Sequence, residues 1–145
     1  MVKTERIQVD KADETPNYAW LVGLAAWFIP GVGHLMLRKW VRAVLMGGAV
    51  WVCFFLGLAM GGHMYDLSNG QGTSSTLLQV APMLANLGTG VLFIVSWLLD
   101  IGFAEDPVQA ARVTYEYGNT FLLIAGLLNY LVMLDAFDIA AGRRD

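Results

Sequence analysis

Charged positions along this chain fall in a few short stretches, with long apolar runs between them. No Asp, Glu, Lys or Arg occurs between Glu14 and Arg38, Arg42 and Asp66, Asp66 and Asp100, or Glu116 and Asp135. A helix needs roughly 20 mostly apolar residues to cross ~30 Å of hydrocarbon. The four runs therefore predict four transmembrane helices, at about 18–37, 41–62, 80–99 and 118–139. The expected fold is an all-α membrane bundle forming one domain behind a polar tail, residues 1–16. Pro16 disfavours helix at Thr15 before it. The stretch "HMYDLSNGQGTSSTLLQ", His63 to Gln79, reads as a loop.

The link "AEDPVQAARVTYEYG" carries a further element. Asp106 before Pro107 is a helix-start pair, a capping side chain followed by a residue whose missing N–H costs nothing at the first position. Val108, Ala111 and Tyr115 follow at one-face spacing, and Gly118 can end the turn. A short interfacial helix is expected before the last span, with Tyr115 and Tyr117 at headgroup level.

Composition supports a bilayer setting. Hydrophobic residues make up 57% and charged residues 14%, against about 25% charged in ordinary soluble domains. Too little polar surface would remain to cover a soluble core. The net charge of −3 gives no support to nucleic-acid binding. The single cysteine, Cys53, excludes an internal disulfide and reads as an inert packed thiol. The tail mixes Glu5, Asp10, Asp13 and Glu14 with Lys3, Arg6 and Lys11. It has no leading apolar segment and does not read as a signal peptide.

Small residues recur inside the runs. Gly57 and Gly61 share one helix face, as do Ala43 and Gly47, and such positions let helix backbones approach closely. The stretch "WFIPGVGHLMLRKW" sets Pro30, Gly31, Gly33 and His34 ahead of Arg38 and Lys39. Ile29 before Pro30 is pushed from helical geometry. Two readings remain open here: a full span with a distorted end, or a re-entrant segment that turns back. They differ in basic-residue count, which favours the cytoplasmic side. Four full spans split Lys and Arg five against four, whereas a re-entrant first segment makes the split seven against two. Arg38, Lys39, Arg42, Arg143 and Arg144 are the expected membrane-edge anchors.

Ionisable groups in or beside spans are functional candidates by default. They are His34, His63, Asp100, Asp135 and Asp138, with Asn129 as a mid-span polar group. In four antiparallel spans, His34 falls on the side of Asp100, and His63 on that of Asp135 and Asp138. A His34–Asp100 pair between spans one and three is the resulting expectation. Asp135 and Asp138, three apart, share a helix face. They are suited either to a cation or proton relay or to a solvated helix end beside Arg143 and Arg144. No nucleotide loop, metal-spaced histidine pair or catalytic triad stands up, so neither an enzyme nor a cofactor is expected.

"WFIPGVGHLMLRKWVRAVLMGG" resembles the two-transmembrane hairpin domain of many small bacterial proteins. Gly31, Gly33 and His34 match its glycine–histidine element, and Arg38, Lys39 and Arg42 its basic turn. Leu35 to Leu37 and Trp40 replace the aromatic and glycine that usually follow the histidine. The whole chain is similar to an uncharacterised family of small four-span bacterial proteins, through "PGVGH" and "FLLIAGLLNYLVMLDAFDIAAGRR", Phe121 to Arg144. That resemblance implies a multi-pass protein of the bacterial cytoplasmic membrane, without an assigned activity. The expected role is a structural or accessory subunit whose partners are the bilayer, other membrane subunits or itself. The alternative is a small oligomeric ion or proton pathway.

Overall fold

The computed structural model describes residues 17–65, 76–104 and 107–144. The described residues form helices and connecting turns, with no strand among them. In chain order the helices are α1 (Asn17–Phe28), α2 (Val32–Met36), α3 (Trp40–Ala59), α4 (Thr76–Leu87), α5 (Val91–Leu98), α6 (Pro107–Ala110) and α7 (Tyr115–Ala140).

Two helices, α3 and α7, are long and apolar enough to cross a membrane. At 1.5 Å per residue, the 20 residues of α3 reach about 30 Å, the hydrocarbon thickness. They match the predicted spans at 41–62 and 118–139. The helices run antiparallel and pack closely. A side-chain carbon at Gly57 would lie 2.7 Å from Leu122 Cγ, and one at Gly62 would lie 2.5 Å from the carbonyl carbon of Gly118. Val50 and Phe54 of α3 meet Leu122, Ala125 and Val132 of α7 in the main core. Most large side chains on the outside are apolar, including Leu21, Val41, Val44 and Leu131. So much exposed apolar surface fits a lipid-facing protein.

The run at 18–37, expected as one helix, is two helices folded against each other. Helix α1 lies antiparallel to the end of α7: Trp20 meets Phe137 at a tilt, with ring centroids 4.8 Å apart, and Asn129 reaches the carbonyl of Trp27. Pro30 follows, and Gly31 takes φ 92°, a left-handed conformation costly for any residue with a Cβ. The chain then reverses. Gly33 of α2 comes back beside Ala26 and Ala136, so a side-chain carbon there would lie 2.5 Å and 3.0 Å from their Cβ atoms. The Pro30–Gly31 turn presses on α3 at Ala43 and Gly47, the two ends of a π-helical stretch.

The run at 80–99 is likewise broken. The pair Val80–Leu87 and Val91–Leu98 bends by 108°, and α4 carries Pro82 inside it. Gly90, at the hinge, has φ 62° and ψ −119° and lies against the carbonyl of Trp27. Only glycine tolerates both the conformation and the contact. The chain leaves for this pair near Met64 and returns to the same end, where the Met64 N–H donates to Gly102 O at 2.7 Å.

The two broken segments thus belong to opposite ends of the α3–α7 pair and meet near its middle. Fully buried Asn129 of α7 joins them: its Nδ2 donates to Trp27 O and to Gly88 O, both at 2.8 Å. Helix ends leave carbonyls without intrahelical partners. In an apolar setting such groups need another donor, and one amide side chain supplies both.

The link before α7 is shorter in helix than expected. Helix α6 is a single turn, and its predicted cap, Asp106, lies outside the described residues. Gly118 does not end a helix. It sits inside α7, where it lets Gly62 approach.

Candidate functional site

Four cationic or titratable groups converge near the C-terminal end of α7. The carboxylate of Asp135 accepts from His34 Nε2 at 3.0 Å and from Arg144 Nη1 at 2.8 Å, with Arg42 Nη1 at 3.9 Å. The Asp135 side chain is 12% exposed and that of His34 is fully buried. A carboxylate only accepts, so the histidine donates from Nε2. His34 Nδ1 has no hydrogen-bond partner among the described residues.

Local structure places each group. His34 rides on α2, brought back to the level of Asp135 by the turn at Gly31. The N–H of Lys39 donates to His34 O at 2.9 Å and that of Arg38 to Leu35 O at 3.0 Å. This is the double bond of a left-handed helix end, with Arg38 in the position usually held by glycine. Helix α7 ends the same way: Arg143 N donates to Asp138 O and Gly142 N to Ile139 O, with Gly142 at φ 71°. That reversal turns Arg144 back along α7 onto Asp135. Arg42 comes from the first turn of α3. One carboxylate therefore gathers α2, α3 and the chain after α7.

The expected His34–Asp100 pair does not form. It assumed that the run at 80–99 crosses, whereas the chain bends by 108° there and returns, leaving Asp100 at the Met64 end. Asp100 lies at the other end of the molecule. It ends α5 with φ 54°, its N–H bonding Trp97 O and the next N–H bonding Ser96 O. Asp tolerates this conformation better than most residues. His63 is not beside Asp135 or Asp138 either. Its backbone N–H donates to Asn119 Oδ1 at 2.6 Å, and its ring lies edge-on to Tyr65 at 5.2 Å. Asp138 holds an exposed ion pair with Arg143 at 3.8 Å, a type worth little. Gly61 ends α3 in the left-handed conformation, beside Gln109.

A cleft of about 730 Å³ opens at the His63 end, with Leu58, Tyr65, Asp100 and Tyr115 in its wall. Burial there, with Tyr115 and Glu116 adding to it, raises the Tyr65 hydroxyl above its usual pKa.

Sequence reasoning missed two buried amides. Asn119 caps the turn at His63, and Asn86, fully buried on α4, has neither amide atom partnered among the described residues. Asn86 stands in "ANLGTG", where two glycines closely following an amide signal a helix break inside an apolar run.

Residues 21–145 match the model of a family of unknown function (DUF6677). The chain belongs to this family. The matched region contains every member of the Asp135 cluster, the α4–α5 segment and the α1–α2 segment from Leu21 onward. No curated protein and no solved structure matches the chain.

Proposed function

We propose that this chain is an integral membrane protein that serves as a structural or accessory component of a membrane assembly. In this reading α3 and α7 cross the bilayer. The α1–α2 pair enters it from one face and the α4–α5 pair from the other. Both termini then share the face that carries Arg38, Lys39, Arg42, Arg143 and Arg144, against Arg112 on the opposite face. That asymmetry favours a cytoplasmic position for the termini, in a bacterial cell the inner face of the cytoplasmic membrane.

The observation that carries the structural role is the Asp135 cluster. Its carboxylate is occupied by groups of its own chain, and these tie together segments far apart in sequence. A carboxylate so engaged suits fixing a fold better than passing an ion. The test is purification in mild detergent. A stoichiometric complex with another membrane protein supports the accessory role, and a solitary chain that passes ions overturns it.

A second reading, a proton or ion pathway, draws on buried atoms without a partner among the described residues: His34 Nδ1, Asn129 Oδ1 and both amide atoms of Asn86. Unpaired polar groups are costly in an apolar interior. Ion flux through liposomes of the pure protein, lost in Asp135→Asn, would establish this reading, and absence of flux would remove it.

A further inference from the structure

We propose that the turn Arg38–Lys39–Trp40 is a seat for the phosphate of an anionic phospholipid headgroup. The inference rests on the membrane placement proposed above and adds the ligand.

Strain is the first sign. Arg38 is held at φ 57° at the end of α2, the place filled by Gly61 after α3 and by Gly142 after α7. Glycine would hold this turn without strain. A strained residue persists where its side chain is used, and the inference runs from the outlier to the function.

Charge is the second sign. Arg42, Arg143 and Arg144 each reach a carboxylate. Arg38 and Lys39 are exposed, adjacent and without an ion pair among the described residues. An arginine fork and a lysine ammonium side by side match phosphate oxygens, the first in a bidentate manner and the second as a point charge.

Depth is the third. Trp40, 65% exposed, and Val41, 73% exposed, open α3 immediately after the two cations. A tryptophan at the start of an apolar span sits at headgroup level, which puts Arg38 and Lys39 among the phosphates. The turn is also fixed from below, because the Lys39 N–H is bonded to the carbonyl of buried His34.

The experiment follows thermal unfolding of the full chain in neutral detergent. Phosphatidylglycerol, phosphatidylcholine or inorganic phosphate is added separately. Phosphatidylglycerol is expected to raise Tm, phosphatidylcholine to do so less than half as much, and inorganic phosphate not at all. Arg38→Gly is expected to raise Tm without lipid, because the strain is gone, yet to lose at least half of the phosphatidylglycerol increment. Lys39→Gln should lose a similar share with an unchanged starting Tm. Full retention of the increment in Arg38→Gly and Lys39→Gln would overturn the seat. An equal increment with inorganic phosphate would overturn the lipid as its source. Carbonate washing of membranes checks the placement separately: a chain released by the wash defeats the membrane reading, whereas an embedded chain blind to phosphatidylglycerol defeats only the seat.

Discussion

Replacing Asn129 by Leu keeps most of the side-chain volume and removes both N–H donors. In the native chain these reach Trp27 O and Gly88 O at 2.8 Å, and Asn129 is fully buried. A buried acceptor left unmade costs about 1–3 kcal/mol in water-soluble proteins. Polar contacts between membrane helices average about 0.6 kcal/mol and reach about 1.7 kcal/mol. Taking the membrane scale for two carbonyls gives about 1–3 kcal/mol. The unpartnered Oδ1 of Asn129 disappears in the variant, which offsets part of the loss. The expected destabilisation is about 2 kcal/mol, and it falls on both broken segments at once. Reversible unfolding in mixed micelles with increasing dodecyl sulfate measures it. Asn129→Asp, which offers one donor when protonated and none when ionised, should also destabilise, because it cannot serve both carbonyls. If Asn129→Leu unfolds at the wild-type detergent fraction, or if Asn129→Asp is tolerated, the amide does not hold the two helix ends and the reasoning fails.

Gly126 of α7 lies against the carbonyl of Ala85, so Gly126→Ala should part α4 from α7. Its cost should be about 3 kcal/mol or more, at the upper end for overpacking, and milder dodecyl sulfate unfolding should reveal it. His34→Ala and Asp135→Ala should each destabilise by about 2–3 kcal/mol. The double variant should fall short of their sum by at least ~1 kcal/mol, and additive losses would contradict the 3.0 Å contact. Gly142→Ala meets no neighbouring atom, yet its φ of 71° predicts a loss. That loss should be about 1 kcal/mol, from backbone strain alone. Single cysteines at Lys39 and Arg143 should be labelled from the same face of sealed vesicles and one at Arg112 from the other, and any other pattern refutes the fold-back of α4–α5.

Helix α3 and helix α7 were legible in the sequence because an unbroken apolar run of sufficient length has one physical outcome in lipid. Their boundaries shifted by only a few residues. The runs at 18–37 and 80–99 met the same length criterion and yet break. Length and apolarity do not register a local reversal. The signals that did, Pro30 with Gly31 and Gly88 with Gly90, are compatible with a bend as well as with a turn-back, and the tertiary contacts decide between them. Asn129 was visible as an odd polar residue, but its role depends on two carbonyls that become orphaned only once both neighbours break. The misplacement of His34 beside Asp100 followed from one topological step, the assumed crossing of the run at 80–99, which instead bends back. The same assumed crossing had set His63 on the side of Asp135 and Asp138, and the fold-back leaves them at opposite ends of α7. Arg143 and Arg144 were legible as neighbours of Asp135 and Asp138, but not which pairs with which: nine residues separate Asp135 from Arg144 along the chain, and the reversal at Gly142 brings them together.

The Asn129 amide and the Asp135 carboxylate stand 102 and 101 residues after their partners Trp27 and His34. During synthesis the first pair of helices is therefore made long before the groups that hold it exist. Until α7 emerges, the carbonyl of Trp27 and the ring of His34 lack the Asn129 donor and the Asp135 carboxylate, and α1–α2 has only the contact of its turn with α3 to keep it folded back. The earliest part of the chain to reach the bilayer is thus the last to be secured, and it is secured by the final helix. Loss of that helix leaves the opening segment without its anchor, so truncation at the far end of the polypeptide is felt at its beginning.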